Sequence, residues 1–146
     1  MREINVRLSP SLQEWATLSE EIDSFCGHHR LADGLRMDLQ LACEEWFINI
    51  VVHGYEEGGI QPGHAPPIQA ELRIEGPNVV ATFRDGARAF NPLEQEEPDV
   101  GLTAEERSIG GLGIYLIKSK MDSCSYLRTE AGNEFTMRKK AQRRTE

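Results

Sequence analysis

Residues Glu45–Tyr55 read EWFINIVVHGY. Within a run this apolar, a carboxylate (Glu45), a carboxamide (Asn49) and an imidazole (His53) recur at intervals of four. On an α-helix, residues i, i+4 and i+8 share one face, each about 40° further round. Burying three polar groups beside that much hydrocarbon costs free energy unless each finds a partner. The stripe therefore either sits solvated at the edge of a core helix or lines a site.

The 146 residues around it amount to a single domain, spanning 1–146, large enough to bury a core without disulfides or metals. Of these, 39% are hydrophobic and 27% charged, the balance of a soluble globular chain. No run approaches a membrane span, and the opening MREINVRLSP lacks the apolar stretch of a signal peptide. Cytoplasmic location is the expectation. Three cysteines, Cys26, Cys43 and Cys124, are odd in number and show no metal-ligand spacing, which fits free thiols. CGHH at Cys26–His29 reads as a helix end with nearby histidines rather than half of a metal site. A net charge of −8 argues against direct nucleic-acid binding, which calls for a basic face. The acids concentrate in PLEQEEPDVGLTAEE, and the tail MRKKAQRRTE is basic. A local site can still hold a polyanion through cations and backbone N–H groups.

Patterning orders the elements. EINVRL alternates and reads as a strand; Ser9 as N-cap with Pro10 at the first helical position opens a helix through about Cys26. A longer helix follows from about Ala32 to Tyr55, with Leu35, Leu39, Ala42, Trp46 and Ile50 as its apolar stripe. EEGGIQPGHAPP is loop, and IQAELRIEG and NVVATFRDG form a hairpin across Gly76-Pro77. The acidic segment from about Ala87 to Gly110 is a long loop of the kind that serves as a lid. LGIYLIKSKMD is a third helix, and SCSYLRTE and NEFTMRKK close the chain as a hairpin around Ala131-Gly132. The order β-α-α-β-β-lid-α-β-β lacks the strict alternation of a doubly wound fold. It suits a two-layer α/β (α+β) sandwich, a mixed, largely antiparallel sheet covered on one face by helices.

Three stretches carry chemistry. On the helix face, Asn49 offers a carboxamide oxygen to a hard cation such as Mg²⁺, which takes few protein ligands and keeps water and phosphate oxygens. Glu45, one turn earlier, is placed to accept a proton from a nucleophile, and His53, one turn later, to complete the polar rim. In FRDGARAFNP, Asp85 ends a strand ahead of Phe90, where a carboxylate can accept an exocyclic amine hydrogen of a purine. In ERSIGGLGIYLI, Gly110-Gly111-Leu112-Gly113 opens a helix whose N–H groups and dipole suit phosphates, with Arg107 just upstream as a cation.

Together these stretches resemble the anti-sigma-factor serine kinases, a branch of the GHKL ATPases, from about Ile4 to Lys140. The most specific part is E-x-x-x-N-x-x-x-H-[AG]-Y, followed by D…F-[ND]-P and G-G-L-G. The resemblance implies a Bergerat-type fold binding ATP·Mg²⁺ between helices and sheet beneath a lid. It implies that Glu45 is catalytic base, that Asn49 holds Mg²⁺ and that Asp85 reads the adenine amine. Gly111 and Gly113 would wrap the phosphates, with Arg107 near the γ-phosphate. The polar stripe would face nucleotide while the Trp46 and Ile50 side packs the core. The implied substrate is a serine on a small STAS-domain anti-anti-sigma protein. A sigma factor would be the alternative partner and a PP2C-type phosphatase would reset the cycle; homodimers are usual.

One departure stands out. The family has D-x-G ahead of x-x-F, and Ala87 occupies the glycine position while Gly86 takes the variable one. If the loop needs a left-handed residue there, alanine costs about 1–2 kcal/mol. Two further readings stand beside the kinase. One is a nucleotide-dependent binding module without transferase activity, which would need no base at Glu45. The other is a free-standing histidine-kinase catalytic domain, which fits poorly because His28 and His29 lie at a predicted helix end rather than on an exposed hairpin.

Overall fold

A computed structural model describes residues 3–94 and 109–145. Five strands form one antiparallel sheet in the order β1-β2-β3-β5-β4: β1 Ile4–Leu8, β2 Ile68–Glu75, β3 Asn78–Asp85, β4 Ser123–Thr129 and β5 Gly132–Lys140. Three helices, α1 Trp15–His28, α2 Asp33–Ile48 and α3 Ile109–Lys120, cover one face. No helix among the described residues is long and apolar enough to cross a membrane.

Strand parity decides which side chains meet the helices. Val79, Ala81 and Phe83 of β3, with Phe135 and Met137 of β5, are fully buried against Leu18, Ile22 and Phe25 of α1, Leu39 of α2 and Ile117 of α3. Asp85 continues the inward row of β3, and Asn133 that of β5. Both therefore end up facing the helix layer at one end of the sheet. The outward row is polar. Thr82 and Thr136 pair across it at 3.3 Å, and Arg84 bonds Glu71 and Glu134. Val80 and Thr82 of that row are buried as well, and Arg73 donates to the Thr82 hydroxyl at 3.3 Å.

Several boundaries differ from the sequence reading, and α3 begins at Ile109 rather than at Leu112. Ser9 does not cap a helix at Pro10: its carbonyl accepts from Ser11 N–H at 2.7 Å, closing a tight turn over the proline. Ser11, extended at φ −135°, ψ 138°, takes the cap role, accepting from Gln13 N–H at the start of a 3₁₀ turn, Leu12–Glu14. The second predicted helix also divides. It is α-helical only to Ile48 and continues as a π-helical segment, Asn49–Glu56.

The β4–β5 turn is tight. Gly132 has φ +142°, and a Cβ there would lie 1.9 Å from the Asp85 carbonyl oxygen. Only glycine lets β5 enter the sheet beside the end of β3. Gly132→Ala is expected to lower stability by at least about 2 kcal/mol, combining backbone strain with a clash that flexible side chains cannot relieve. Urea unfolding checks this, and an unchanged midpoint would show that β3 and β5 can separate there freely.

Candidate functional site

α2 and α3 pack with their backbones close. A Cβ on Gly113 would lie 2.9 Å from Glu45 Oε2, so the carboxylate abuts the first turns of α3. The predicted glycine run lies inside that helix: Gly110, Gly111, Leu112 and Gly113 all fall within Ile109–Lys120. Arg107 lies outside the described residues. Burial, with a smaller contribution from Glu44, raises the Glu45 pKa above the ordinary carboxylate value. A carboxylate of elevated pKa beside glycine-lined backbone is suited to taking up a proton.

The interval of four holds from Glu45 to Asn49 and then lapses. In a π-helix the N–H bonds reach back five residues, as Glu57 N–H does to Val52 O at 2.9 Å, so residues five apart stack. Asn49 and Gly54 accordingly line one small cavity, with Trp46, Ile50, Asp85, Ala87, Arg88, Phe90 and Asn133. His53 does not line it. Its Nδ1 faces Glu57 Oε2 at 2.9 Å, and its backbone oxygen accepts from Arg88 at 3.4 Å. Trp46 and Ile50, expected only to pack the core, are buried there and also form cavity wall.

Asp85 is held by the closing hairpin, which the sequence reading did not single out. Its Oδ1 accepts from Ala87 N–H at 2.9 Å and Asn133 Nδ2 at 3.0 Å. Asn133 Nδ2 also donates to the Arg88 carbonyl at 2.9 Å. Its Oδ1 accepts from Tyr126 Oη and, at 3.2 Å, from Arg128, which fixes which end of the amide meets Asp85. Arg128 donates again to the Ala87 carbonyl at 2.7 Å. The register pairs Asp85 directly with Asn133 across β3 and β5. As an asparagine after a turn glycine, Asn133 reads as turn chemistry; only the parity of β5 marks it as inward. Burial raises the Asp85 pKa, against the lowering effects of Asn133, the Ala87 N–H and Arg128.

Ala87 carries no strain: among the described non-glycine residues only Arg30 has positive φ. Its methyl is accommodated by an exchange of size, because a Cβ on Gly54 would lie 2.9 Å from it. The departure from D-x-G is thus matched by a glycine on the facing helix. At about 10 Å³ the cavity holds roughly one water. A larger hollow of about 260 Å³ lies at the same end of the sheet, lined by Arg7, Gln69, Arg84 and Glu134 of the outward rows and sharing Asp85 and Asn133 with the small cavity.

Residues 8–139 match the family model of the histidine kinase-like ATPase domain. The chain belongs to that family. It is 29% identical over 103 residues to the serine/threonine-protein kinase BtrW of Bordetella bronchiseptica, covering 70% of this chain and 69% of that one. Among solved structures it is similar to the RsbU and RsbW domains of Rv1364c from Mycobacterium tuberculosis, with a TM-score of 0.67 and 14% identity. That match covers 99% of this chain and 35% of that longer one, so this chain spans about a third of it. The SiaB-SiaC complex from Pseudomonas aeruginosa matches at TM-score 0.65 and 14% identity, over 93% of this chain and 87% of that one. The fold is theirs, and membership of an ATPase domain family implies ATP binding. In this histidine kinase-like ATPase domain the donor set also fits Mg²⁺. Asn49, buried at the cavity wall, carries the kind of oxygen donor that Mg²⁺ accepts.

Two outcomes are expected. Gly54→Ala should destabilise the domain by about 1–3 kcal/mol through overpacking, and Ala87→Gly should relieve most of it. A double-mutant cycle in urea should give a coupling of at least about 1 kcal/mol, whereas simple additivity would show that the two residues do not press on each other. Asp85→Asn should act through linkage. Because the folded pKa is raised above the unfolded one, the acid's contribution is fully present at low pH and is lost as pH rises through the folded value. The variant, which cannot ionise, should therefore gain in melting temperature over wild type on going from acid to neutral pH. A gap that narrows instead would mean the carboxylate is net stabilised.

Proposed function

We propose that the chain is an ATP- and Mg²⁺-dependent protein-serine kinase that acts as an anti-sigma factor in a partner-switching circuit. The observation that carries this reading is the Glu45 carboxylate, half-buried, raised in pKa and set against Gly113. A module that only bound nucleotide would gain nothing from it, whereas a transferase uses it to orient or deprotonate a serine hydroxyl for in-line attack. Asp85 accepts the adenine amine, and Phe90 and Ala87 border the base. The backbone of Gly110, Gly111, Leu112 and Gly113 contacts the phosphates, with Arg107 as the cation on the terminal one. Asn49 would hold Mg²⁺, which supplies charge compensation on the phosphates when bound. His53 contributes through its pairing with Glu57 and its carbonyl to Arg88, at the rim rather than the base.

The partners belong to the same proposal. The substrate is a serine on a STAS-domain anti-anti-sigma protein, the competing partner a sigma factor, and a PP2C-type phosphatase restores the hydroxyl. The working form is a cytoplasmic homodimer that spans no membrane and binds no nucleic acid directly. The relative named a serine/threonine-protein kinase supports the activity, and the neighbour solved as a two-protein complex supports the partner reading.

Phosphate transfer from ATP to a candidate STAS protein tests the assignment. Glu45→Gln should lower the rate about 10²–10⁴-fold while leaving ATP binding nearly unchanged. The wild-type rate should fall on the acid side at a pH above the ordinary glutamate range, since the base must be ionised and its pKa is raised. Transfer that survives in Glu45→Gln, or ATP binding that survives in both Asn49→Ala and Asp85→Asn, would overturn these roles.

A further inference from the structure

Among the described residues, the indole Nε1 of Trp46 is the one buried side-chain nitrogen or oxygen without a hydrogen-bond partner. Trp46 is 2% exposed, its ring stacks on Phe135 with centroids 4.3 Å apart, and it lines the cavity that also holds Asp85 and Asn133. The other polar groups of that cavity wall are largely spoken for. Both ends of the Asn133 amide are bonded, and both hydrogen bonds to the Asp85 carboxylate go to Oδ1. What stays open beside the Asn49 carboxamide, assigned above to the metal, is one acceptor, Asp85 Oδ2, and one donor, the Trp46 N–H.

Adenine presents the complement. Its exocyclic amine donates and the adjacent ring nitrogens accept, whereas guanine carries a carbonyl where adenine has the amine. We propose that Trp46 is a second base-reading residue, its indole N–H donating to an adenine ring nitrogen, directly or through one water, while Asp85 accepts the amine. The inference rests on the ATP reading above and adds a residue to it. In the empty domain the N–H has lost its water and gained nothing. Binding supplies the partner, so the interaction contributes to affinity and selectivity rather than to folding.

Trp46→Phe keeps an aromatic ring against Phe135 and removes the donor. The expected result is an unfolding midpoint no lower than wild type by more than a few degrees, together with an ATP Kd raised about tenfold. A residue that merely packs would move both in the same sense. Wild type should also bind 1-deaza-ATP or 7-deaza-ATP about tenfold more weakly than ATP, and Trp46→Phe should not distinguish that analogue from ATP.

Should the variant fold poorly, the wild-type chain supplies the readout. It has two tryptophans, so its NMR spectrum carries two indole N–H resonances. One should shift downfield with ATP and stay in place with the discriminating analogue, the other serving as control. Wild type that binds ATP but shows no analogue penalty, or a penalty that persists in Trp46→Phe, would overturn this proposal alone. Wild type that binds no ATP would overturn it together with the kinase reading.

Discussion

The structure turns on one pairing across the sheet, the Asp85 carboxylate against the Asn133 amide at the end of β3 and β5. A buried carboxylate is expensive, and the elements around it are arranged to hold it. Gly132 brings β5 against the Asp85 carbonyl, and Tyr126 and Arg128 of β4 fix the amide so that its donor end meets the carboxylate. From the other side, Tyr55 of the π segment accepts from Gly86 N–H at 2.7 Å, tying the helix layer to the same turn. These contacts leave Asp85 raised in pKa all the same, because burial outweighs them. A site evolved for stability alone would place an apolar residue there.

The second constraint is the change from α to π geometry at Asn49. It keeps Glu45 and Asn49 in line, then turns His53 aside and brings Gly54 under Ala87. Widened turns of this kind occur often at functional sites because they re-aim a few side chains without breaking the helix. Here the widening admits the methyl of Ala87. The missing family glycine and the glycine at position 54 are two halves of one packing solution.

The fold was legible because period and composition are local. Alternation in IQAELRIE and NVVATFRD, the stripe through Leu35, Leu39 and Ala42, and the Gly-Pro turn each specify their element without reference to the rest. The helix–sheet layering and the antiparallel order followed. What escaped was non-local. Nothing in Asn49–Glu56 announces five-residue hydrogen bonding, and Asn133 looks like a turn residue until the parity of β5 is known. Trp46 looked like core because hydrophobic periodicity counts its indole as hydrocarbon and ignores its N–H. The resemblance to the serine kinases pointed to Glu45, Asn49 and Asp85 but not to the residues that pack and hydrogen-bond around them, which only the folded contacts bring together.

Stability is given up in one region. Glu45 and Asp85 are carboxylates raised by burial, and the Trp46 N–H is orphaned; all three border the junction of α2, the sheet and α3. Elsewhere among the described residues the buried polar side chains are paired, as Thr82 with Thr136 on the outer face. Sequence rules break at positions where a fold does work other than holding itself together. On the proposed reading, the donor and the acceptor at the cavity wall complement a base that offers a ring nitrogen and an amine, while the Glu45 carboxylate, set against Gly113, is left to take the proton of the attacking hydroxyl. The same three groups explain why the empty domain should be less stable than its core would allow, and why nucleotide should tighten it.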